Sequence, residues 1–266
     1  MSTLALFAAS GRLPLLLAEE ACRQGYKLIA FGVTPMVEAG VRRFADCYFE
    51  IGLGQLQRSI DICKAHGVSD IAFAGKIEKK ALYGSLDLDD RMRSVFAAAG
   101  GFGTDELMRA LVAEFESEGF AVISQIDLGS AFLARKGVMT SRSPSNEQMR
   151  DIEWGLEALR VMGPLDIGQS VVVKQRVVVA VEGVEGTDQA ILRGGSLAGG
   201  EAVVVKTPKP GQDLRFDVPT VGERTILSMH SAGCSVLAVQ AGSTFILDQD
   251  RAVELADRCG ICIIGV

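Results

Sequence analysis

Residues 206–222 read KTPKPGQDLRFDVPTVG and hold a dense set of reactive groups. Lys206, Lys209 and Arg215 are interleaved with Asp213 and Asp217, and three of the chain's seven prolines (Pro208, Pro210, Pro219) fall among them. A proline ring fixes its own φ and pushes the residue before it toward extended geometry, so the backbone carrying these charges is pre-ordered. Cations at fixed separations neutralise a pyrophosphate, and Asp217 is placed to ligate a metal or orient a water. Transfer at phosphorus needs these parts: cations on the phosphoryl oxygens, a metal and a placed nucleophile. The plainer reading is a surface loop whose charges pair with each other. Prolines around alternating charges favour the chemical one.

Three other places could hold an anion. Ser10-Gly11-Arg12 lies between a strand and a helix, where open α/β sheets bind ligands and a helix N-terminus accepts phosphate; an ordinary tight turn is nearly as good a reading. Lys76 follows Gly75 at the end of the strand DIAFAG and points a cation into the same crevice, although lysines often snorkel at strand ends. Gly-Thr-Asp occurs twice, at 103–105 and 186–188, each time opening a helix. Such a start leaves backbone N–H groups free beside a hydroxyl, and simple N-capping explains the threonine equally well. Glu182, Glu185 and Asp188 form an acidic group suited to a hard cation such as Mg²⁺, or a solvated loop.

Several chemistries are poorly served. The two histidines sit in no G-x-S-x-G context and no Walker A motif occurs. Cys259 and Cys262 form a lone C-x-x-C beside a strand-like run, which is a poor zinc site. A net charge of −6 argues against nucleic acid as the main partner. The N-terminal apolar run lacks a basic flank and is broken by Ser10-Gly11-Arg12, so a cytoplasmic chain with reduced thiols is expected.

The elements that position these groups follow from periodicity. LALFAA, KLIAFGV, CYFEIG and DIAFAG alternate with helical stretches, which predicts a parallel α/β domain over residues 1–130. A helical region over 77–99, a helix from Thr104 and a last strand FAVISQ complete it. Residues 131–266 read as a mixed α/β domain. Ser145 with Gln148 predicts a capping box and a helix to about Met162. SVVVKQRVVVAVEG predicts a hairpin turning at Lys174-Gln175-Arg176, and short helices and strands follow to the C-terminus.

Five stretches together resemble the LpxI family, in the same order and spacing: LFAASGRLP, AFAGK, LDIGQSVVV, VEGTDQAILR and KTPKPGQDLRFDVPTVGERT. The family consists of UDP-2,3-diacylglucosamine pyrophosphatases of bacterial lipid A synthesis. The resemblance implies two domains, an N-terminal Rossmann-like parallel α/β domain and a C-terminal mixed α/β domain, with the substrate between them, a homodimer, and metal-dependent attack of water at the α-phosphorus. The products are UMP and 2,3-diacylglucosamine 1-phosphate (lipid X). The essential aspartate of the family's Asp-Leu-Pro-Thr motif falls on Asp217, with Val218 standing for the leucine, and Mg²⁺ or Mn²⁺ is the implied ion. The implied substrate-facing set is Ser10, Gly11, Lys76, Gln169, Thr187, Asp188, Lys206, Lys209, Arg215 and Thr220. A lipid-linked UDP-sugar implies an aliphatic cleft and transient contact with the inner membrane surface. Rival readings are a non-catalytic nucleotide-sugar-binding module and a pyrophosphatase for another UDP-sugar.

Overall fold

The structure is a computed structural model that describes residues 2–35, 39–77, 87–100, 104–165 and 167–266. It divides into two units, Met1–Ser130 with Asp213–Asp217, and Ala131–Gln212 with Val218–Val266. Five residues of the charged proline segment thus fold with the first unit. Nothing in the sequence pattern announces this, because side-chain contacts made far along the chain decide it.

In the first unit the described elements run β1 (Thr3–Ala8), α1 (Leu13–Arg23), β2 (Lys27–Thr34), β3 (Cys47–Gly52), α2 (Leu56–Ala65), β4 (Asp70–Ala74), α3 (Asp90–Ala98), α4 (Thr104–Ser117), β5 (Ala121–Val122) and α5 (Gln125–Leu128). The strands are all parallel in the order β3-β2-β1-β4-β5. Side chains alternate across a strand, so Ala5, Phe7, Ile29, Phe31, Ile71 and Phe73 share one face. They pack there with Ile60, Val95, Val112 and Phe115 from α2, α3 and α4. Phe7 stacks on Phe31 and Phe73 at 4.5 and 5.3 Å between ring centroids. A buried aromatic pair adds about 0.5–1.5 kcal/mol beyond the area it removes from water.

Two details differ from the sequence expectations. The 77–99 region is helical from Asp90, where the Asp89 carboxylate accepts the Met92 N–H; residues 78–86 lie outside the described set. FAVISQ contributes only Ala121–Val122 to the sheet, because the Ser124 hydroxyl caps α5 at Ile126 N.

The second unit holds β6 (Gly137–Val138), α6 (Asn146–Met162), β7 (Ser170–Lys174), β8 (Val177–Val181), α7 (Thr187–Ala198), β9 (Val203–Lys206), β10 (Thr220–Val221), α8 (Glu223–Ser231), β11 (Val236–Val239), β12 (Phe245–Ile246), α9 (Gln249–Arg258) and β13 (Cys262–Gly265). Its main sheet runs β6-β13-β11-β9-β7-β8, parallel through β9, β11 and β13 and antiparallel elsewhere. The valine-rich strands β7 and β9 are buried on both faces, as near-continuous apolar runs require, while the edge strand β8 is half-buried with Val177 exposed. Val171, Val173, Val203, Val205, Val236 and Ile264 meet Ile152 and Leu159 of α6. The alternate residues Val172, Val204, Leu237 and Ile263 meet Ile191, Ile226, Met229 and Ala252 of α7, α8 and α9.

Both local signals of the second half are present. Ser145 and Gln148 form the reciprocal capping box at the start of α6. The β7–β8 hairpin turns at Gln175-Arg176, both at positive φ (51° and 61°). The buried Asp151 carboxylate accepts their two N–H groups at 3.0 and 2.6 Å, which holds this strained pair in place.

Candidate active site

The strand order of the first unit reverses between β1 and β4, and the carboxyl edge at such a switch point is where open α/β sheets hold ligands. Ser10 and Lys76 follow these two strands and are joined by an isolated antiparallel bridge. Lys76 N donates to Ser10 O at 2.9 Å, and Ser10 Oγ donates to Lys76 O at 2.7 Å. The hydroxyl that the sequence offers to a phosphate therefore ties two loops together. Gly75 makes the approach possible: its φ is 96°, and a Cβ there would lie 2.7 Å from Ser10 O and 2.8 Å from Ala9 C. Gly11, at φ 107°, turns the chain into the N-terminus of α1, so its neighbourhood presents backbone donors and the positive end of the helix dipole.

Residues 213–217 are fixed to the same unit at several points. Ser124 Oγ donates to Leu214 O at 3.1 Å, and the Phe216 ring packs against the first core. The Gln125 amide nitrogen donates to Phe73 O at 2.7 Å and to Phe216 O at 3.1 Å, and Gln125 is 2% exposed. One side chain thus pins the carboxyl end of β4 to the residue before Asp217. Within the segment, Asp217 N donates to Asp213 O at 3.0 Å, closing a turn.

Arg215 is engaged by carboxylates. Its Nε and Nη2 bond the Asp213 carboxylate at 2.8–3.2 Å, and Nη1 bonds Glu116 at 2.9 Å. The Arg215 hydrogen bonds hold the Asp213 carboxyl below the usual carboxylate range against the opposing effect of its burial. In this arrangement the guanidinium, expected to face phosphate, fastens the Asp217 segment to α4.

In the second unit Gln169, Thr187 and Lys206 come together. Ser170 and Lys206 are register partners in the β7–β9 ladder, and Thr207 N donates to Gln169 O at 3.1 Å. Lys206 is 5% exposed and its Nζ donates to Thr187 Oγ1 at 2.8 Å; that hydroxyl donates to Glu182 Oε1, also at 2.8 Å. Thr187 is not the N-cap of α7; Gly186 holds that position at φ 85°, with no side-chain cap bond. Gln169 Oε1, Ser170 Oγ and Glu182 Oε2 are buried with no hydrogen-bond partner among the described residues.

The remaining expected residues have local partners of their own. Asp188 pairs with Arg224 at 3.1 Å, and the Thr220 hydroxyl donates to Val218 O at 2.9 Å. The Lys209 backbone N–H donates to Gln212 Oε1 at 2.7 Å. Of the two Gly-Thr-Asp copies, Gly103 and the Thr104 side chain lie outside the described residues.

The acidic trio does not form a ligand set. Glu182 serves Thr187, Glu185 pairs with Arg193 at 2.6 Å, and Asp188 with Arg224. Among the described residues no three His, Cys, Asp or Glu side chains converge as a metal site. Asp217 by itself suits Mg²⁺, which commonly takes one or two carboxylates and completes its shell with phosphate oxygens and water. All six cysteines are free thiols, and burial pushes Cys63 up to about 12 and Cys234 to about 11.

The residues that composition and motif did not single out are Ser124, Gln125 and Ser170. Glu182 is read from the sequence as a metal ligand or a solvated loop residue, not as the acceptor of Thr187. Its one sequence signal is an acid closing the valine run of β8, where a solvated loop is the ordinary reading.

Comparison with known proteins adds an independent line. Residues 3–131 match the LpxI N-terminal domain and residues 135–264 the LpxI C-terminal domain. The UDP-2,3-diacylglucosamine pyrophosphatase LpxI of Caulobacter vibrioides is 31% identical over 277 residues, spanning 100% of this chain and 98% of that protein. Among solved structures, UDP-glucose 4-epimerase of Thermotoga maritima with UDP-glucose aligns at a TM-score of 0.31 and 12% identity, covering 44% of this chain and 35% of that one. The biotin carboxylase domain of Hydrogenobacter thermophilus 2-oxoglutarate carboxylase aligns at 0.30 and 15%, covering 67% and 36%. The chain spans about a third of the length of these two structures, and likenesses this weak carry no argument. Two domain matches that together span nearly the whole chain, with a full-length relative at 31% identity, place the protein in the LpxI family.

Proposed function

We propose that the protein hydrolyses UDP-2,3-diacylglucosamine at the α-phosphorus, giving UMP and 2,3-diacylglucosamine 1-phosphate, in lipid A synthesis. The observation that carries this reading is the attachment of Asp217's segment, through Gln125, to the carboxyl end of β4 in a unit that also brings Ser10 and Lys76 together. That edge is the ligand-binding side of an open parallel sheet. Family membership supplies the substrate class, since the Caulobacter vibrioides relative carries that name.

In this mechanism Asp217 orients the attacking water and holds one of its protons as the oxygen closes on phosphorus. The bond from the α-phosphorus to the bridging oxygen breaks, and the electron pair leaves with the sugar phosphate. Lys76, Lys206 and Lys209 neutralise phosphoryl charge, which is worth most where it grows in the transition state. Backbone donors at Gly11 and the start of α1 hold phosphate oxygens. Gln169, Asp188 and Thr220 complete the substrate-facing set, and Arg215 acts by fixing the Asp217 segment. A Mg²⁺ or Mn²⁺ ion held by Asp217 and substrate oxygens would supply charge neutralisation and a more acidic water.

The same reading includes a homodimer and transient contact with the inner membrane surface to collect the acylated substrate. No described helix is long and apolar enough to cross a membrane.

The test is turnover of UDP-2,3-diacylglucosamine in ¹⁸O-labelled water, with Mg²⁺ or with EDTA. Label in UMP that is lost with EDTA is expected. Label in the sugar phosphate overturns the cleavage site, and tight binding without turnover leaves a binding module. Hydrolysis of unacylated UDP-sugars at the same rate would move the substrate class. Asp217→Ala is expected to lower kcat by about a hundredfold or more, and near wild-type turnover removes Asp217 from the mechanism.

A further inference from the structure

Glu182 follows the last residue of β8 and is 9% exposed. A carboxylate so far from water is costly unless hydrogen-bonded and balanced by charge. Its backbone is fixed on both sides: Glu182 N donates to Ser170 O at 2.9 Å, and a Cβ at Gly168 would lie 2.0 Å from Glu182 O. Gly168 therefore lets two chain segments lie in direct contact, and no larger residue would.

From this fixed point the carboxylate reaches one hydroxyl. Thr187 Oγ1 donates its single proton to Glu182 Oε1, so what it offers Lys206 Nζ is a lone pair. Donation therefore runs in one direction, from the lysine to threonine to glutamate, linking a buried cation and a buried anion through one shared oxygen. Lys206 ends β9, an interior strand between β7 and β11. Thr187 is the first residue of α7, whose N-terminus carries partial positive charge and by itself disfavours an ammonium. Glu182 balances that end.

We infer that Glu182 is a positioning residue, which holds the Lys206 ammonium in place through the Thr187 hydroxyl. Thr187 then acts on Lys206 and not on the substrate. A cation at phosphorus must be held to within a fraction of an ångström, and small misplacements cost large factors in rate. The inference rests on the reading of the protein as a UDP-sugar pyrophosphatase in which Lys206 faces phosphate.

The experiment measures kcat, KM and thermal unfolding for Glu182→Ala, Thr187→Val, the double variant, Glu182→Gln and Thr187→Ser. Glu182→Ala and Thr187→Val should each lower kcat about tenfold or more with KM moved less than about threefold. The double variant should be no slower than the slower single, because both changes cut one chain. Thr187→Ser keeps the hydroxyl and should stay within about threefold of wild-type kcat, while Glu182→Gln keeps an acceptor without the charge and should fall between wild type and Glu182→Ala. A Thr187→Val variant that raises KM and keeps kcat overturns the inference, since Thr187 would then touch substrate. Multiplying effects in the double variant, or a lower unfolding temperature with unchanged kinetics, overturn it too. If the wild-type protein turns over no UDP-sugar, the functional reading itself falls. Calorimetric titration with inorganic pyrophosphate then decides the chain alone: equal weakening in Glu182→Ala, Thr187→Val and Lys206→Met supports it, and unchanged binding in the first two overturns it.

Discussion

Replacing Gln125 with leucine separates what holds Asp217 in place from what holds the fold together. The substitution keeps a buried side chain of similar length and removes the two donations to Phe73 O and Phe216 O. Each withdrawn donation leaves a carbonyl without this donor at about 1–2 kcal/mol, so the loss is about 2–4 kcal/mol. Against this stands the relief of Gln125 Oε1, which is buried without a partner among the described residues and returns roughly 1 kcal/mol. The expected net cost is therefore about 1–3 kcal/mol, or about 3–15 °C in Tm for a unit of this size. Activity should fall much further. With Phe216 O unpinned, the adjoining Asp217 loses its register with the carboxyl end of β4, and a displacement of about 1 Å costs up to a hundredfold in rate. The assay is kcat and KM with UDP-2,3-diacylglucosamine beside urea unfolding. Gln125→Met serves as the second variant, because an unbranched thioether of similar length can donate neither bond. Wild-type kcat in both variants would refute the reasoning, and so would a loss of kcat no larger than the fraction unfolded.

Three further outcomes follow from side chains that fix local structure or resist reaction. Asp151→Ala leaves Gln175 N and Arg176 N without their acceptor in a positive-φ turn; urea unfolding should show a loss of about 2–4 kcal/mol, with Asp151→Asn intermediate. Asp213→Asn removes a carboxylate whose pKa is depressed, first by its hydrogen bonds to Arg215. A depressed acid stabilises above its unfolded pKa of about 3.9 and stops doing so as pH falls through the lower folded value. The variant should therefore be less stable at pH 7, begin to approach wild type as pH falls below about 4, and reach it only below the depressed folded value. Iodoacetamide at pH 8 should spare Cys63 and Cys234, which burial holds as thiols, until urea opens the fold; rapid native alkylation of either would contradict their burial.

Much of the architecture is legible in the chain. The valine runs of β7 and β9 alternate their side chains between two helix-covered layers, and a period-2 pattern requires that wherever both faces are buried. Ser145 and Gln148 announce the start of α6 because a capping box involves only neighbours in sequence. Ser10 and Lys76 were locatable as loop residues after strands, since the carboxyl edge of a parallel sheet follows from strand order. Their hydrogen bonds to each other were not, because two loops distant in sequence make that bridge.

The charged proline segment marks the limit. Its residue types by themselves indicate cations and an acid on a stiffened backbone, since proline restricts φ whatever surrounds it. Which acid each cation meets is a tertiary matter. Arg215 closes on Asp213 and Glu116, and Lys206 is held on Thr187, whose hydroxyl goes to Glu182. Gln125, ordinary in sequence, becomes the pin beside Asp217 because α5 carries it under both Phe73 and Phe216. Periodicity and backbone restriction are local and are written in the chain; hydrogen-bond partners are chosen by distance, and distance between remote residues exists only once the chain has folded.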